Sequence, residues 1–491
     1  MSLELIRLSG SISRNINANE THKYKVVLLE NQFLEISLEQ QGIDLSISLH
    51  NENDGKQLVI NGLAFNYLTK KLYWVTKEKA ELVLAISTRE KHISPGSYKL
   101  TISQLRTKKA SDDNYVKLQE LFDESMGLYA EVSFDSKKKA LDKLLLLLTT
   151  AKELNLTEKL FEALVLISKL YDFLGFPQKA LSYIQEALTL SANNLYKKRL
   201  CLNDIGNIYI VLEHQKALEF FQQALDIRDE VEDIIGEAVT LGNLGVYYYG
   251  LEEIKKALSY YREAYFLAEQ AQNLYLQTDL LNNIGTTYIS LNEGEKALEC
   301  YEKSLNIQVQ LAMITKQTTT LRNIGNIYYQ YYQEFDKALI YYNESLEISS
   351  SSGKLLEKAK AFNAIALVHE KEGYKDEALE NYQEALSLAK TIEDSSLQIS
   401  VLNNIGLFYR DLSEFDKSLD FLSEALFLAK QTNDLVHQQI VTRNLGITFS
   451  KLNDYKTALI YHKESLKLSI NLKNKPEEIR ISREIEIFEK S

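Results

Sequence analysis

A mostly α-helical protein, in which a solenoid of helical hairpins follows a small all-β sandwich, is the fold class this sequence predicts. Three observations carry the prediction. The segment Leu281 to Ile307 (LNNIGTTYISLNEGEKALECYEKSLNI) recurs along the C-terminal three quarters at a period of about 40 residues. Small residues keep that beat at Ser168, Gly206, Gly245, Gly285, Gly325, Ala366, Gly406 and Gly446, and again at Ala140, Ala180, Ala217, Ala257, Ala297, Ala338, Ala378, Ser418 and Ala458. The first hundred residues lack the beat and alternate apolar with polar at period 2 instead. Proline occurs only at positions 95, 177 and 476, which leaves long helices uninterrupted.

The strands come first. Lys23 to Leu28, Phe33 to Leu38, Leu45 to His50, Leu72 to Thr76, Leu82 to Ser87 and Tyr98 to Leu105 are short, alternating and rich in β-branched and aromatic residues. Asn51-Glu52-Asn53-Asp54-Gly55 and Ser94-Pro95-Gly96 supply turn chemistry between them. Short strands without intervening helices imply a β-sandwich, placed at residues 1–107. Residues 108–114 read as a linker.

From Leu118 the period becomes helical. An imperfect hairpin holds Ala140 and the run Leu141 to Leu148, and eight better repeats follow, giving a repeat array of about nine hairpins over 115–475 and a capping helix over 476–491. Each unit approximates Leu-x-Asn-Ile-Gly-x-x-Tyr, a turn, then Lys-Ala-Leu-x-x-Tyr-x-x-Ala-Leu. Glycine inside a helix costs roughly 1 kcal/mol relative to alanine, so its recurrence argues for a steric need. The need expected is a close helix crossing, with Gly245 opposite Ala257. Tyr209, Tyr248, Tyr288, Tyr328 and Tyr409 on first helices, and Phe221, Tyr261, Tyr301, Tyr342 and Tyr382 on second helices, fill the space between hairpins.

One polar register stands out. Asp204, Asn243, Asn283, Asn323, Asn404 and Asn444 lie two residues before the small residue, and Asn203, Asn282, Arg322, Asn363, Asn403 and Arg443 lie three before it. A side-chain amide pairs with a peptide backbone through both its donor and its acceptor, so amides at repeat spacing suit an extended ligand of any sequence. Two readings stand side by side here: ligand contact, and bracing of the neighbouring hairpin.

The motif resembles the tetratricopeptide repeat (TPR) over about three quarters of the chain, and its 40-residue period and Asn-Ile-Gly core resemble the kinesin-light-chain type most. The resemblance implies that this amide register lines the concave groove of a superhelix. Arg322 and Arg443 resemble the cations of TPR clamps for acidic C-termini only partly, since they lie three repeats apart. Gln41 to Leu49, the turn into Gly55-Lys56-Gln57-Leu58 and the closing Gly96 to Ile102 resemble the jelly-roll modules called pre-peptidase C-terminal domains. The order of modules is similar to the non-catalytic front portion of bacterial proteins that continue into a caspase-like CHAT protease. This chain ends at Ser491 just after the last repeat, so the resemblance implies the sensing part without the cutting part.

Charge and chemistry narrow the function. Net charge is −12, with 15 Lys and Arg against 11 Asp and Glu in residues 1–110 and 41 against 57 in the remainder. An acidic array repels a phosphate backbone, which argues against nucleic acid. Cys201 and Cys300 form no metal or disulfide pattern. No P-loop, dinucleotide turn, zincin helix or nucleophile elbow occurs. His369 and His462 stand at aromatic positions of the repeat and read as packing, and Cys300 stands where the preceding repeat has Tyr260. The N-terminus lacks a signal-peptide core and no stretch is long enough to span a bilayer. The expectation is a cytoplasmic, bacterial, non-enzymatic scaffold without cofactor or metal, which binds a protein or peptide in its groove. The sandwich would cap the array or act as a second interaction module. The alternative is the regulatory arm of a CHAT protease system, truncated or acting in trans.

Overall fold

The computed structural model describes residues 4–5, 11–17, 20–41, 45–51, 57–60, 70–88, 96–109, 111–131, 134–191, 193–227, 233–472 and 475–489. The expected turns over 52–56 and 94–95, and residues 42–44 of the jelly-roll resemblance, lie outside them. The chain divides into two compact units, residues 1–293 and 294–491.

In the first unit, nine strands among the described residues form two sheets. β1 (Glu4–Leu5), β3 (Thr21–Leu28), β8 (Ala80–Thr88), β5 (Leu45–Asn51) and β6 (Gln57–Ile60) make one in that spatial order. β2 (Ser11–Ile16), β9 (Gly96–Thr107), β4 (Gln32–Gln41) and β7 (Lys70–Val75) make the other. All neighbours are antiparallel except β1 with β3. Strand alternation sends Val26, Leu28, Leu34, Ile36, Ile47 and Leu84 into one shared core between the sheets, as a sandwich requires. The ladder from β4 to β9 shifts register between Glu35 and Ile36.

Helices follow: α1 (Asp112–Ala130), α2 (Phe134–Glu153), α3 (Thr157–Phe173), α4 (Pro177–Leu190), α5 (Leu195–Leu212), α6 (His214–Asp226), α7 (Ile234–Gly250), α8 (Ile254–Gln270) and α9 (Leu274–Ser290). The second unit holds α10 (Gly294–Gln310), α11 (Ile314–Ile327), α12 (Phe335–Ser351), α13 (Leu355–Glu372), α14 (Lys375–Thr391), α15 (Ser395–Asp411), α16 (Phe415–Gln431), α17 (Leu435–Lys451), α18 (Tyr455–Asn471) and α19 (Lys475–Glu489). No helix among the described residues is long and apolar enough to cross a membrane.

At the recurrent glycine the nearest atoms belong to a side chain of the paired helix. A Cβ at Gly245 would sit 2.5 Å from the Tyr261 ring, four residues beyond Ala257, and one at Gly206 or Gly325 would meet Phe221 or Tyr342 as closely. At these three positions the glycine makes room for the second-helix aromatic, and at Gly406 the Ser418 carbonyl of the paired helix also lies 3.3 Å from the would-be Cβ. Leu422 and His462 fill that slot against Gly406 and Gly446. Ser168 replaces glycine and donates to the Ala180 carbonyl at 2.8 Å.

First-helix tyrosines do a second job. Tyr209, Tyr248, Tyr328 and Tyr409 lie nearly parallel to Phe220, Tyr260, Tyr341 and Phe421, at centroid distances of 5.2 to 5.5 Å. Lys216, Lys256, Lys337 and Lys417, each just before the small residue of the second helix, place their ammonium over the same rings.

Candidate ligand-binding face

Every predicted site residue lies on the first helix of a hairpin. Asn203 and Asp204 are on α5, Asn243 on α7, Asn282 and Asn283 on α9, Arg322 and Asn323 on α11, Asn363 on α13, Asn403 and Asn404 on α15, and Arg443 and Asn444 on α17. Helical spacing buries Leu402, Ile405 and Phe408 of α15, while Asn404 and Leu407 stay half-exposed and Asp411 is exposed. The amides sit at the border between these faces.

At that border many of them bond to each other. In the first unit Asn243 Nδ2 donates to Asn203 Oδ1 at 3.4 Å, and Asn203 Nδ2 donates to Thr240 Oγ1 at 3.0 Å. In the second unit Asn404 Nδ2 donates to Asn363 Oδ1 at 3.0 Å and Asn444 Nδ2 to Asn403 Oδ1 at 2.7 Å. In these three pairs the residue two before the small residue reaches back to the residue three before it in the preceding repeat. Asn283 lacks such a partner because that place in the preceding repeat is Gly242, which has no side chain. The Asn283 and Asn323 side chains make no hydrogen bond among the described residues.

The cations of the register are matched internally. Arg322 Nη2 lies 3.8 Å from Glu357 Oε2 on α13, and Arg443 donates to both carboxylate oxygens of Glu484 on α19. Glu477 adds a second carboxylate 3.9 Å from Arg443. Asp204, the acidic exception, is half-buried with its Oδ2 shielded from solvent, and desolvation pushes its carboxyl above the usual range against the pull of Lys169, 3.5 Å away.

Two groups beside this face escaped the sequence reading. Arg199 is buried and donates to the Asp233 carboxylate at 2.8 Å, while the same carboxylate caps α7 by accepting from Gly236 N at 2.8 Å. The Asp before α7 was a visible cap signal, but its buried partner lies 34 residues upstream. His214 stacks on Tyr247 at 4.6 Å and lies within hydrogen-bond reach of the Ile210 and Tyr247 carbonyls. No group of three or more His, Cys, Asp or Glu among the described residues could hold a metal ion.

Such an array, with paired amides on its first helices, defines a helical-hairpin repeat protein. Residues 198–270, 276–351, 316–391 and 397–471 match a family model for the tetratricopeptide repeat, and residues 161–194 match a second model of that description. The chain belongs to the tetratricopeptide repeat family. Its fold is similar to the apo form of the quorum sensor NprR from B. thuringiensis, at 18% identity over 73% of this chain and 99% of that one, with a TM-score of 0.51. It is also similar to a Rap protein complexed with Competence and Sporulation Factor, at 17% identity over 74% of this chain and 99% of that one, with a TM-score of 0.50. No curated protein matches the sequence significantly.

Proposed function

We propose that this chain is a non-enzymatic scaffold that holds an extended peptide or protein segment against its first helices, using the amide register to bond the ligand backbone. The observation that carries the reading is what the braces leave over. In each pair of the second unit one amide spends its acceptor and the other spends one of its donor hydrogens. Asn363 and Asn403 keep their Nδ2 donors, and Asn404 and Asn444 keep their Oδ1 acceptors, with no partner among the described residues. A donor beside an acceptor is the complement of a peptide group. Bracing and binding are then compatible, because the brace fixes each amide's rotamer and orients its remaining atoms before a ligand arrives.

Arg322 and Arg443 are poor clamps for a ligand carboxylate on this reading, since each already faces an internal one. A ligand is read by its backbone and by the apolar residues beside the amides. The Rap protein of similar fold was solved with a factor bound, which agrees with a ligand-holding role for such arrays.

Selection of peptides from a display library against the full chain tests the proposal. Enriched peptides should bind as strongly with a C-terminal amide as with a free carboxylate, and should lose affinity when alternate backbone amides are N-methylated. Enrichment that depends on the terminal carboxylate, with indifference to N-methylation, would contradict it.

A second reading is favoured by the order of modules, a β-sandwich followed by kinesin-light-chain-like repeats. It makes the chain the regulatory arm of a caspase-like CHAT protease system. Its test is copurification of a protease whose cleavage rate changes when the chain is added.

A further inference from the structure

We propose that the β-sandwich is the N-terminal cap of the helical array, locked to it by an ion pair on a buried carboxylate and by an aromatic cluster, so that Lys108 and Lys109 on one side and Ser111 to Asn114 on the other are held as a rigid joint instead of a linker. A solenoid needs its terminal hairpin covered, because each hairpin buries one apolar face only against a neighbour. Here the cover is a sheet.

The joint is built from both sides. Arg106 at the end of β9 donates through Nη1 and Nη2 to the two carboxylate oxygens of Asp112, at 2.7 and 2.8 Å. Asp112 is the first residue of α1 and is fully buried, and it also accepts from the Lys109 amide at 2.6 Å. A bidentate pair of this kind fixes direction as well as distance, so the sandwich sets the axis on which α1 starts. Lys108 N donates to the Asn31 carbonyl at 2.7 Å, and Lys108 Nζ lies 2.8 Å from Asp113.

Beside the ion pair, strand alternation does something a free-standing sandwich would not. Leu34 of β4 and Leu72 and Trp74 of β7 point into the core between the sheets. Phe33 and Tyr73 therefore lie on the opposite face of their sheet, yet each is only 1% exposed. The Tyr115 ring of α1 sits 5.7 Å from Phe33 and 5.1 Å from Tyr73, and the Arg106 guanidinium lies 4.5 Å above the Phe33 ring. Burial on both faces of one strand pair means that the sheet has a second layer. That layer is the start of the array, in keeping with the single compact unit formed by residues 1–293.

The test uses the full chain and its one tryptophan, Trp74, which reports on the sandwich while circular dichroism reports on the helices. In urea, the Trp74 fluorescence transition of the wild type should coincide with a loss of helical signal. Arg106→Ala and, separately, Tyr115→Ala should split the two and make trypsin cut after Lys108 or Lys109 at least tenfold faster. If Arg106→Ala does not fold, Arg106→Lys gives the same comparison, because one ammonium cannot make both bonds of the fork. A wild-type Trp74 transition separate from any helical change, or tryptic cutting as fast in the wild type as in the variants, would overturn the proposal.

Discussion

Single side chains set the limits of this array. Gly245 leaves space for the Tyr261 ring, so Gly245→Ala places a methyl within 2.5 Å of it. That substitution should destabilise by about 1–3 kcal/mol through overpacking. Gly127, inside α1, has nothing within 4 Å of its would-be Cβ, so Gly127→Ala should stabilise by up to about 1 kcal/mol. Urea denaturation of the two variants checks both signs. Asp123 provides a pH test. Burial raises its carboxyl from 3.8 to about 7, opposed by the Gln119 hydrogen bond and the Lys159 charge. The folded state thus holds this proton more tightly than the unfolded chain does. The stability it confers is full below 3.8 and falls as pH rises to about 7. Asp123→Asn should flatten that part of the stability profile and make the protein more stable than wild type at about pH 8. The repeating glycine and the amide register were legible in the sequence, whereas what each glycine faced was not. A period locates a residue but does not say whether its neighbour is a backbone or a ring.

Between one helix and the next, a single residue more or less decides the turn. The small residues of paired helices are twelve apart in most repeats, but eleven apart from Gly206 to Ala217 and thirteen from Gly325 to Ala338. The short case leaves Glu213 alone between α5 and α6. The long case is absorbed by a π-helical turn, Tyr328–Tyr332, ending at Gln333 with φ 53°. It brings Tyr331 to 3.0 Å from a would-be Cβ at Gly294, a position that other second helices fill with residues as large as Ile254 or Phe335. The extra residue was visible as a step of 41. Its conformation was not, because an inserted residue can enter a loop as readily as a helix. Helix starts give a further prediction. Asp233→Ala removes the cap of α7 and strands the buried Arg199 without its carboxylate, which should cost about 3–5 kcal/mol in urea denaturation. Asp454→Ala removes an exposed cap at the start of α18, where no buried cation is left behind, and should lower stability far less.

At the scale of the molecule, the all-β front and helical array were readable because period 2 and period 3.6 patterns are each distinct. The joint between them was not, because Thr107 to Asp113 is polar and short, and its role depends on Arg106 meeting Asp112 in space. The candidate face was legible as a register of twelve positions. The partner of each was not, since a brace spans about 40 residues and depends on what the preceding repeat offers, as Gly242 shows beneath Asn283.

Comparing braced with unbraced amides tests the central claim, that this register binds a ligand as well as joining repeats. Calorimetric affinity for a library-selected peptide and melting temperature would be measured for Asn283→Ala, Asn323→Ala and Asn404→Ala. Asn283 and Asn323 hold no internal hydrogen bond among the described residues, so each loss should weaken binding by about 0.5–1.5 kcal/mol per hydrogen bond with the melting temperature unchanged. Asn404, bonded to Asn363, should lose both affinity and stability. Full affinity in the Asn283 and Asn323 variants, with loss confined to the stability of Asn404→Ala, would contradict the account and leave the amides as braces alone.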